Sequence, residues 1–194
     1  MEDMRLSKIP DRHTEDPTAP SSPLEMLQAC HSRVRHFMQL SRTLAEASGV
    51  PRREIAAAAA AVFAYFSHAL PPHEADENES LFPRLQSALP PGALVREAAE
   101  TMVEQHKAID ELAAELLSLC DSLRRHPELL PSLARRLQHV TGALDQIFAA
   151  HFQLEETVIF PALQQLLTAA QLEEMAREMQ LRQRPPAGAI HLVQ

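Results

Sequence analysis

Two segments of this chain repeat one residue pattern 78 positions apart, and this repeat constrains the fold more than any other feature. Residues 73–85 read HEADENESLFPRL, and residues 151–163 read HFQLEETVIFPAL. In each segment a His is followed four positions later by a Glu, and the segment ends in Phe-Pro-x-Leu. Residues four apart lie on one face of an α-helix. The repeat therefore predicts two equivalent helices, each presenting an imidazole and a carboxylate on one face.

Apolar residues at helical spacing predict four long helices joined by short breaks. The composition favours helix because Ala, Leu, Glu, Gln and Arg are common, whereas the chain has only 4 Gly. Gly49, Pro90-Pro91-Gly92 and Pro127 mark the breaks, and Pro71-Pro72 predicts a kink in the second helix. Four long helices with short connections predict an all-α, up-down-up-down four-helix bundle. The predicted bounds are about 23–48, 51–89, 93–125 and 129–167.

The bundle domain is predicted over residues 23–167, and the rest of the chain forms appendages. Thr168 and Gln171 have the spacing of a capping box, so we expect a short fifth helix over 168–182. It could cap the bundle or contact a second copy, which leaves monomer and homodimer open. Residues 1–22 combine prolines and charges without apolar periodicity and are expected to form a disordered N-terminal tail. Residues 183–194 are expected to form a flexible tail.

Only four of the 10 histidines lie where a shared site could form. His31 and His106 fall on the apolar faces of the first and third helices, as His73 and His151 do on the second and fourth. Counted from the turns near residues 50 and 127, each lies about 18 to 24 residues along its helix, roughly 27 to 36 Å. Antiparallel packing therefore places all four imidazoles at a similar height. The other six are interpreted as bystanders: His13, His36, His68, His126, His139 and His191.

Imidazoles and carboxylates buried together cost free energy unless they are paired or bound to metal. This donor set, which lacks a thiolate, suits iron, manganese or zinc. The two repeat glutamates, one from each half, are placed to bridge two ions, with two histidines on either side. Six ligands for two ions leave positions for an oxo or hydroxo bridge, water or an incoming small molecule. The predicted metal ligands are His31, His73, Glu77, His106, His151 and Glu155.

The paired histidines and the doubled H-x-x-x-E…F-P-x-L segments resemble the hemerythrin-like (HHE cation-binding) family over roughly residues 24–167. The resemblance implies a four-helix bundle around a non-haem di-iron centre that handles O₂, nitric oxide or peroxide. It also implies that Glu77 and Glu155 bridge the two ions. Oxygen-carrying hemerythrins have a fifth His one turn after the third-helix His, where this chain has Asp110. The matching residue of the first helix is Arg35. The ligand set of four His and two Glu therefore resembles iron-centre repair and redox-active bacterial members of the family more than the oxygen carriers.

Other polar residues near these positions have simpler interpretations. Asp110 could be a metal ligand, an acceptor for the N–H of a ligand imidazole or an exposed residue, and we favour the acceptor role. Cys30, next to His31 in sequence but turned away from it, is expected to be a small core residue, with a redox role as the alternative. Four acidic residues are interpreted as solvated helix-surface charges: Glu74, Asp76, Glu79 and Glu156.

The resemblance favours a protein that binds or senses O₂, nitric oxide or peroxide, or handles iron under oxidative or nitrosative stress. An enzyme on the same scaffold, reducing these molecules or repairing iron centres, is the first alternative; no catalytic residue can be named, so enzyme status stays open. A structural bundle holding zinc or no metal is the second. The net charge of −8 argues against a protein that binds nucleic acid, because phosphate groups require a basic surface. The Ala-rich run 55–70 is too short and weakly apolar for a membrane span, and residues 1–22 lack a secretory apolar region, so we expect a cytoplasmic location.

Overall fold

The computed structural model describes residues 22–90 and 93–183, and within these residues it contains helices and no strand. It has the predicted all-α architecture, a four-helix bundle with a fifth helix. The predicted tails, apart from Ser22 and Gln183, lie outside the described residues, as do His13, His191 and the Pro91-Gly92 break. The helices are α1, Pro23–Glu46; α2, Arg52–Ala88; α3, Leu94–Arg125; α4, residues 130–166; and α5, Ala169–Gln183.

Local capping residues set several of these boundaries. At the start of α1 the Ser22 hydroxyl accepts from the Glu25 amide at 3.2 Å, and the Glu25 carboxylate accepts from the Ser22 amide at 2.8 Å. This reciprocal capping box pairs two amides that have no partner inside the helix. Gly49, just after α1, has a φ of +71°, which glycine adopts without the steric cost of a Cβ. Thr168 and Gln171 form the predicted cap of α5.

Both repeat segments contain a π-helical turn, which the sequence did not predict. The turns are Asp76–Leu81 in α2 and Glu155–Ile159 in α4. The Phe82 amide donates to the Glu77 carbonyl, and the Phe160 amide donates to the Glu155 carbonyl, five residues back instead of four. The proline after each Phe has no N–H and would clash with the carbonyl four residues earlier. A widened turn accommodates that ring, so the Phe-Pro end of the repeat shapes the backbone beside each glutamate.

The bundle interior has two apolar regions separated by a polar layer. The turn-side core lies toward the α1–α2 and α3–α4 turns and includes Leu44, Val62, Leu116, Leu137 and Leu144. The α5-side core lies at the opposite end and includes Leu27, Leu85, Met102, Leu163 and Met179. The polar layer between them carries the repeat histidines and glutamates. Leu94 has the helical spacing of the apolar residues of α3, but at the first turn of that helix it is 79% exposed.

Helix α5 covers the end of the bundle next to the polar layer. Three of its own residues are buried against the bundle: Met175, Ala176 and Met179. Its Arg182 donates to the Asp76 carboxylate at 2.9 Å, and its Glu178 accepts from Arg84 at 2.8 Å. These contacts tie α5 to the π turn of α2. The structure therefore shows the fifth helix capping the bundle, while its contact with a second copy stays a prediction.

Helix α2 is longer than the apolar run considered from sequence. By length and composition Arg52–Ala88 would be sufficient to cross a membrane. This is weak evidence for a span, because core helices of water-soluble proteins pass the same test. The helix also carries four buried polar side chains, listed here in chain order: His73, Asp76, Glu77 and Ser80.

Candidate metal centre

The structure brings all six predicted ligand side chains into the polar layer. His31 comes from α1, His73 and Glu77 from α2, His106 from α3, and the last pair from α4. None of the six is more than 5% exposed. Because each long helix contributes at least one of these side chains, the layer is assembled only when the bundle folds. Their role as metal ligands stays a prediction.

Glu77 lies at the centre of this layer and contacts histidines from both halves. Its Oε1 is 3.1 Å from His73 Nε2, and its Oε2 is 2.9 Å from His106 Nε2 and 3.8 Å from His151 Nε2. Glu77 belongs to two groups of three residues, and in each group the donor atoms all lie within 4.8 Å of one another. One group is His31, His73 and Glu77, and the other is Glu77, His106 and His151. The carboxylate of Glu77 is therefore placed to bridge two cations.

Glu155 makes a second connection between the two groups. Its Oε2 is 2.9 Å from His31 Nε2 and 3.6 Å from His151 Nε2. The contacts cross between the helix pairs, because Glu77 of the first pair approaches His106 and Glu155 of the second approaches His31. This cross-pairing gives the layer an approximate two-fold arrangement, as the internal repeat requires.

The buried donor atoms of the layer fit a cation. Eight of these atoms form no hydrogen bond with any described residue, although six of them lie in imidazole–carboxylate pairs at 2.9 to 3.1 Å. Leaving so many polar atoms without a partner in a protein interior is costly, whereas bound cations would satisfy those that face the centre of the layer. The unpaired atoms are His31 Nε2, both nitrogens of His73, both oxygens of Glu77, His106 Nε2 and both oxygens of Glu155.

Burial and mutual contact shift the ionisation of these groups in different directions. Burial lowers the pKa of His73 to about 4, and it lowers the pKa of His31, so both imidazoles favour the neutral form that binds metal. Burial would raise the pKa of Glu77, but the surrounding imidazoles outweigh it and hold that pKa well below the usual range. Burial and then repulsion from Glu77 raise the pKa of Glu155. One of the two adjacent carboxyls thus holds a proton more strongly, and a cation would release it.

Three of the four histidines also have a hydrogen-bond partner on the outward nitrogen, Nδ1. His31 donates to Glu156 Oε1 at 2.8 Å, His106 to Asn78 Oδ1 at 3.2 Å, and His151 to Gln105 Oε1 at 3.0 Å. A bond at Nδ1 leaves the lone pair on Nε2, which faces the centre of the layer. His73 Nδ1 has no such partner among the described residues.

These outer partners were not identified from the sequence. The interpretation of Glu156 as a solvated charge is wrong, because its side chain is only 34% exposed and accepts a hydrogen bond from His31. The repeat itself could have indicated this role, because Asn78 and Glu156 each follow the repeat glutamate directly and each can accept a hydrogen bond. Gln105 has no counterpart signal in the repeat.

Two further interpretations of acidic residues are wrong. Asp110 is exposed and lies beside Glu74 rather than accepting from an imidazole; the Asn78 amide occupies that place on His106. Asp76 is fully buried rather than solvated, because Arg182 and Gln183 of α5 donate to its two oxygens at 2.9 and 3.1 Å.

The four predicted bystander histidines that the structure describes lie outside the two groups of donors. His68, His126 and His139 are exposed, and His36 packs edge-on against Phe37. Cys30 is a buried core residue whose Sγ accepts from Arg33 at 2.7 Å, and burial raises the pKa of its thiol. A protonated, buried thiol is a poor nucleophile, which favours the core interpretation.

The space beside the layer is small. A cavity of about 10 Å³ lies between α2, α3 and α4, about the volume that the centre of one water molecule can occupy. A larger groove of about 520 Å³ lies on the surface between α1 and α4 and touches none of the six candidate ligands. The small cavity is lined by Leu70, His73, Glu74, Glu77, His106, Ile109, Phe148 and His151.

Comparison with known proteins agrees with this geometry. The family model described as "Hemerythrin HHE cation binding domain" matches residues 22–100 and 97–182. This chain belongs to the hemerythrin HHE family. It is also similar to a protein of Haemophilus influenzae named "Uncharacterized protein", with 27% identity over 169 residues that cover 84% of this chain and 90% of that protein. Membership makes this a helical protein with a cation-binding domain, as the resemblance implied.

Proposed function

We propose that this hemerythrin-family chain holds two iron ions in its polar layer and uses them to bind or sense a small molecule such as O₂, nitric oxide or peroxide. The observation that carries the proposal is the set of unpaired nitrogen and oxygen atoms that converge between the four helices. A mixed imidazole and carboxylate set suits iron, although zinc and manganese fit the same donors.

The two glutamates of the layer would hold the ions from different sides. Glu77 offers one oxygen to the His31–His73 side and the other to the His106–His151 side. Glu155, from the other helix pair, lies between His31 and His151 and would hold the ions from that side. Phe152 stacks on the His31 ring at 4.1 Å and helps to shield the layer from solvent. The iron pair, when bound, supplies ligand binding and one-electron chemistry.

The surroundings of the layer favour a small ligand over an organic substrate. The adjacent cavity is about 10 Å³, far below the roughly 300 Å³ or more of typical small-molecule pockets. Its walls include the apolar side chains of Leu70, Ile109 and Phe148. Such a space suits a diatomic molecule or peroxide next to the donors.

The cellular setting is part of the proposal. Cys30 and Cys120 are buried free thiols, which supports a reducing compartment such as the cytoplasm. Handling of iron under oxidative or nitrosative stress would suit a protein with this layer in that compartment.

An optical experiment tests ligand binding and separates it from turnover. Iron-loaded, reduced protein is mixed with O₂, nitric oxide or peroxide, and its absorption spectrum is recorded with and without excess reductant. A spectral change that reverses when the gas is removed supports binding or sensing. Steady consumption of the molecule together with the reductant would instead support an enzyme. No spectral change with any of the three would contradict the proposed function.

A further inference from the structure

The two halves of the polar layer have unlike hydrogen-bond partners at equivalent positions. Asn78 and Glu156 occupy the same place in the repeat, directly after Glu77 and Glu155. Asn78 accepts from the outward nitrogen of His106 at 3.2 Å through a neutral amide oxygen. Glu156 accepts from the outward nitrogen of His31 at 2.8 Å through a carboxylate oxygen.

Neighbouring side chains reinforce this difference on the His31 side. Arg35 donates to the same Glu156 oxygen at 2.9 Å, and its guanidinium lies 4.9 Å from the centre of the Phe152 ring. That ring in turn stacks on His31. His31 is therefore held by a charged acceptor that is itself fixed, and by an aromatic ring on one face.

The His106 side has different residues at each matched place. Glu74 is the repeat counterpart of Phe152, and it lies 3.8 Å from His106 Nδ1, too far for a hydrogen bond. Asp110 is the counterpart of Arg35, so the second half has an anion where the first has a cation. The Asn78 side-chain N–H donates to the Glu74 carboxylate at 3.3 Å. By hydrogen bonding, the Glu74 charge therefore acts on His106 only through the neutral Asn78 amide.

Hydrogen bonding at the outward nitrogen of a metal-binding imidazole changes its strength as a ligand. The acceptor fixes the tautomer and the ring orientation, and a carboxylate draws the Nδ1 proton more strongly than an amide does. The Nε2 lone pair becomes correspondingly more basic. An imidazole held by Glu156 should bind a cation more firmly than the same imidazole held by a neutral acceptor.

Resting on the proposed function, we infer that Glu156 is a positioning residue for His31 and that it makes the two metal positions unequal. The position that includes His31 and His73 depends on the Glu156 carboxylate. The position that includes His106 and His151 does not.

Zinc titration in competition with a chelator tests this inference with the full chain and the metal alone. Glu156→Gln keeps a hydrogen-bond acceptor but removes the charge, so the His31 side becomes similar to the His106 side. We expect the affinity for one of two zinc ions to fall about 10- to 100-fold, while the affinity for the other changes less than about twofold. Glu104→Gln, which removes an exposed carboxylate of α3 that contacts Lys107, is the matched control and should change neither.

Two further variants separate positioning from a general structural effect. Glu156→Asp retains the charge and should restore most of the lost affinity. Arg35→Met leaves Glu156 in place but without its cation, and should give a smaller loss at the same ion. In the zinc-loaded protein the Nδ1 proton resonance of His31 should lie downfield and move upfield in Glu156→Gln, while that of His106 stays in place.

The possible outcomes distinguish this inference from the function on which it rests. A wild-type chain that binds fewer than two zinc or iron ions overturns both. Two bound ions whose affinities respond equally to Glu156→Gln, or do not respond, overturn only the inequality of the positions. Equal losses in Glu156→Gln and Glu104→Gln would also overturn it, and circular dichroism of the metal-free variants verifies that they fold.

Discussion

The turn-side core and the polar layer are built from the same helices but are stabilised in different ways. Turn-side residues such as Leu116 and Leu137 are fully buried among other apolar side chains, and their burial favours folding without any ligand. The polar layer buries carboxylates and imidazoles equally completely, but leaves many of their atoms unpaired. The apolar core therefore specifies the bundle. The unpaired polar atoms of the layer lower the stability of the fold, and a bound cation would offset that loss.

Metal removal should give the largest difference between the two regions. Binding to the folded state alone stabilises a protein by about 2.7 kcal/mol per ion at a free concentration 100 times Kd, or about 5 kcal/mol for two independent ions. We expect chelation to lower the free energy of unfolding by this order, measured by denaturant titration. Hydrogen exchange should quicken most in the π turns Asp76–Leu81 and Glu155–Ile159. Equal quickening in the turn-side core would remove the distinction between the regions.

A cavity in the turn-side core should lower stability without affecting metal binding. Leu116→Ala removes a fully buried side chain and should cost about 2 to 5 kcal/mol. Metal content per folded chain should stay at the wild-type value. Leu94→Ala, at an exposed position of the same helix, is the control and should change stability by less than about 0.5 kcal/mol. Loss of metal from folded Leu116→Ala protein would show that the two regions are coupled.

The link between α5 and the polar layer should have a smaller effect. Arg182→Met leaves the buried Asp76 carboxylate with Gln183 as its one donor among the described residues, which should cost about 1 to 3 kcal/mol. Arg177→Met, on the exposed face of α5, should have little effect. Thermal unfolding of both variants measures the difference. Indistinguishable midpoints would mean that the Arg182–Asp76 contact does not stabilise the fold.

Regular spacing made the bundle and its central layer predictable from sequence. Apolar periodicity and the positions of Gly and Pro located the helices, because both reflect local backbone geometry. The repeat placed Glu77 and Glu155 beside the four histidines, because equal distances from the turns bring residues of antiparallel helices to one height. The π turns were not predictable because only 7 helical residues follow each of them, too few for the shift in helical phase to show in the apolar pattern.

The contacts around the layer depend on details that spacing does not contain. Whether Glu156 points to solvent or to His31 depends on the rotation of α4 against α1, which the π turn alters. The burial of Asp76 depends on where α5 docks, about a hundred residues later in the chain. Leu94 has the spacing of a buried residue, but it lies at the first turn of α3, where no other helix of the described residues covers it.

Iron content per chain tests the central claim most directly, because Glu77 belongs to both groups of donors. Wild-type protein produced with iron is compared with Glu77→Ala and with Glu104→Ala, which removes an exposed carboxylate outside the layer. The account predicts two irons per chain in the wild type and in Glu104→Ala, and less than one in Glu77→Ala. Less than one iron in the wild type, unchanged by Glu77→Ala, would contradict it.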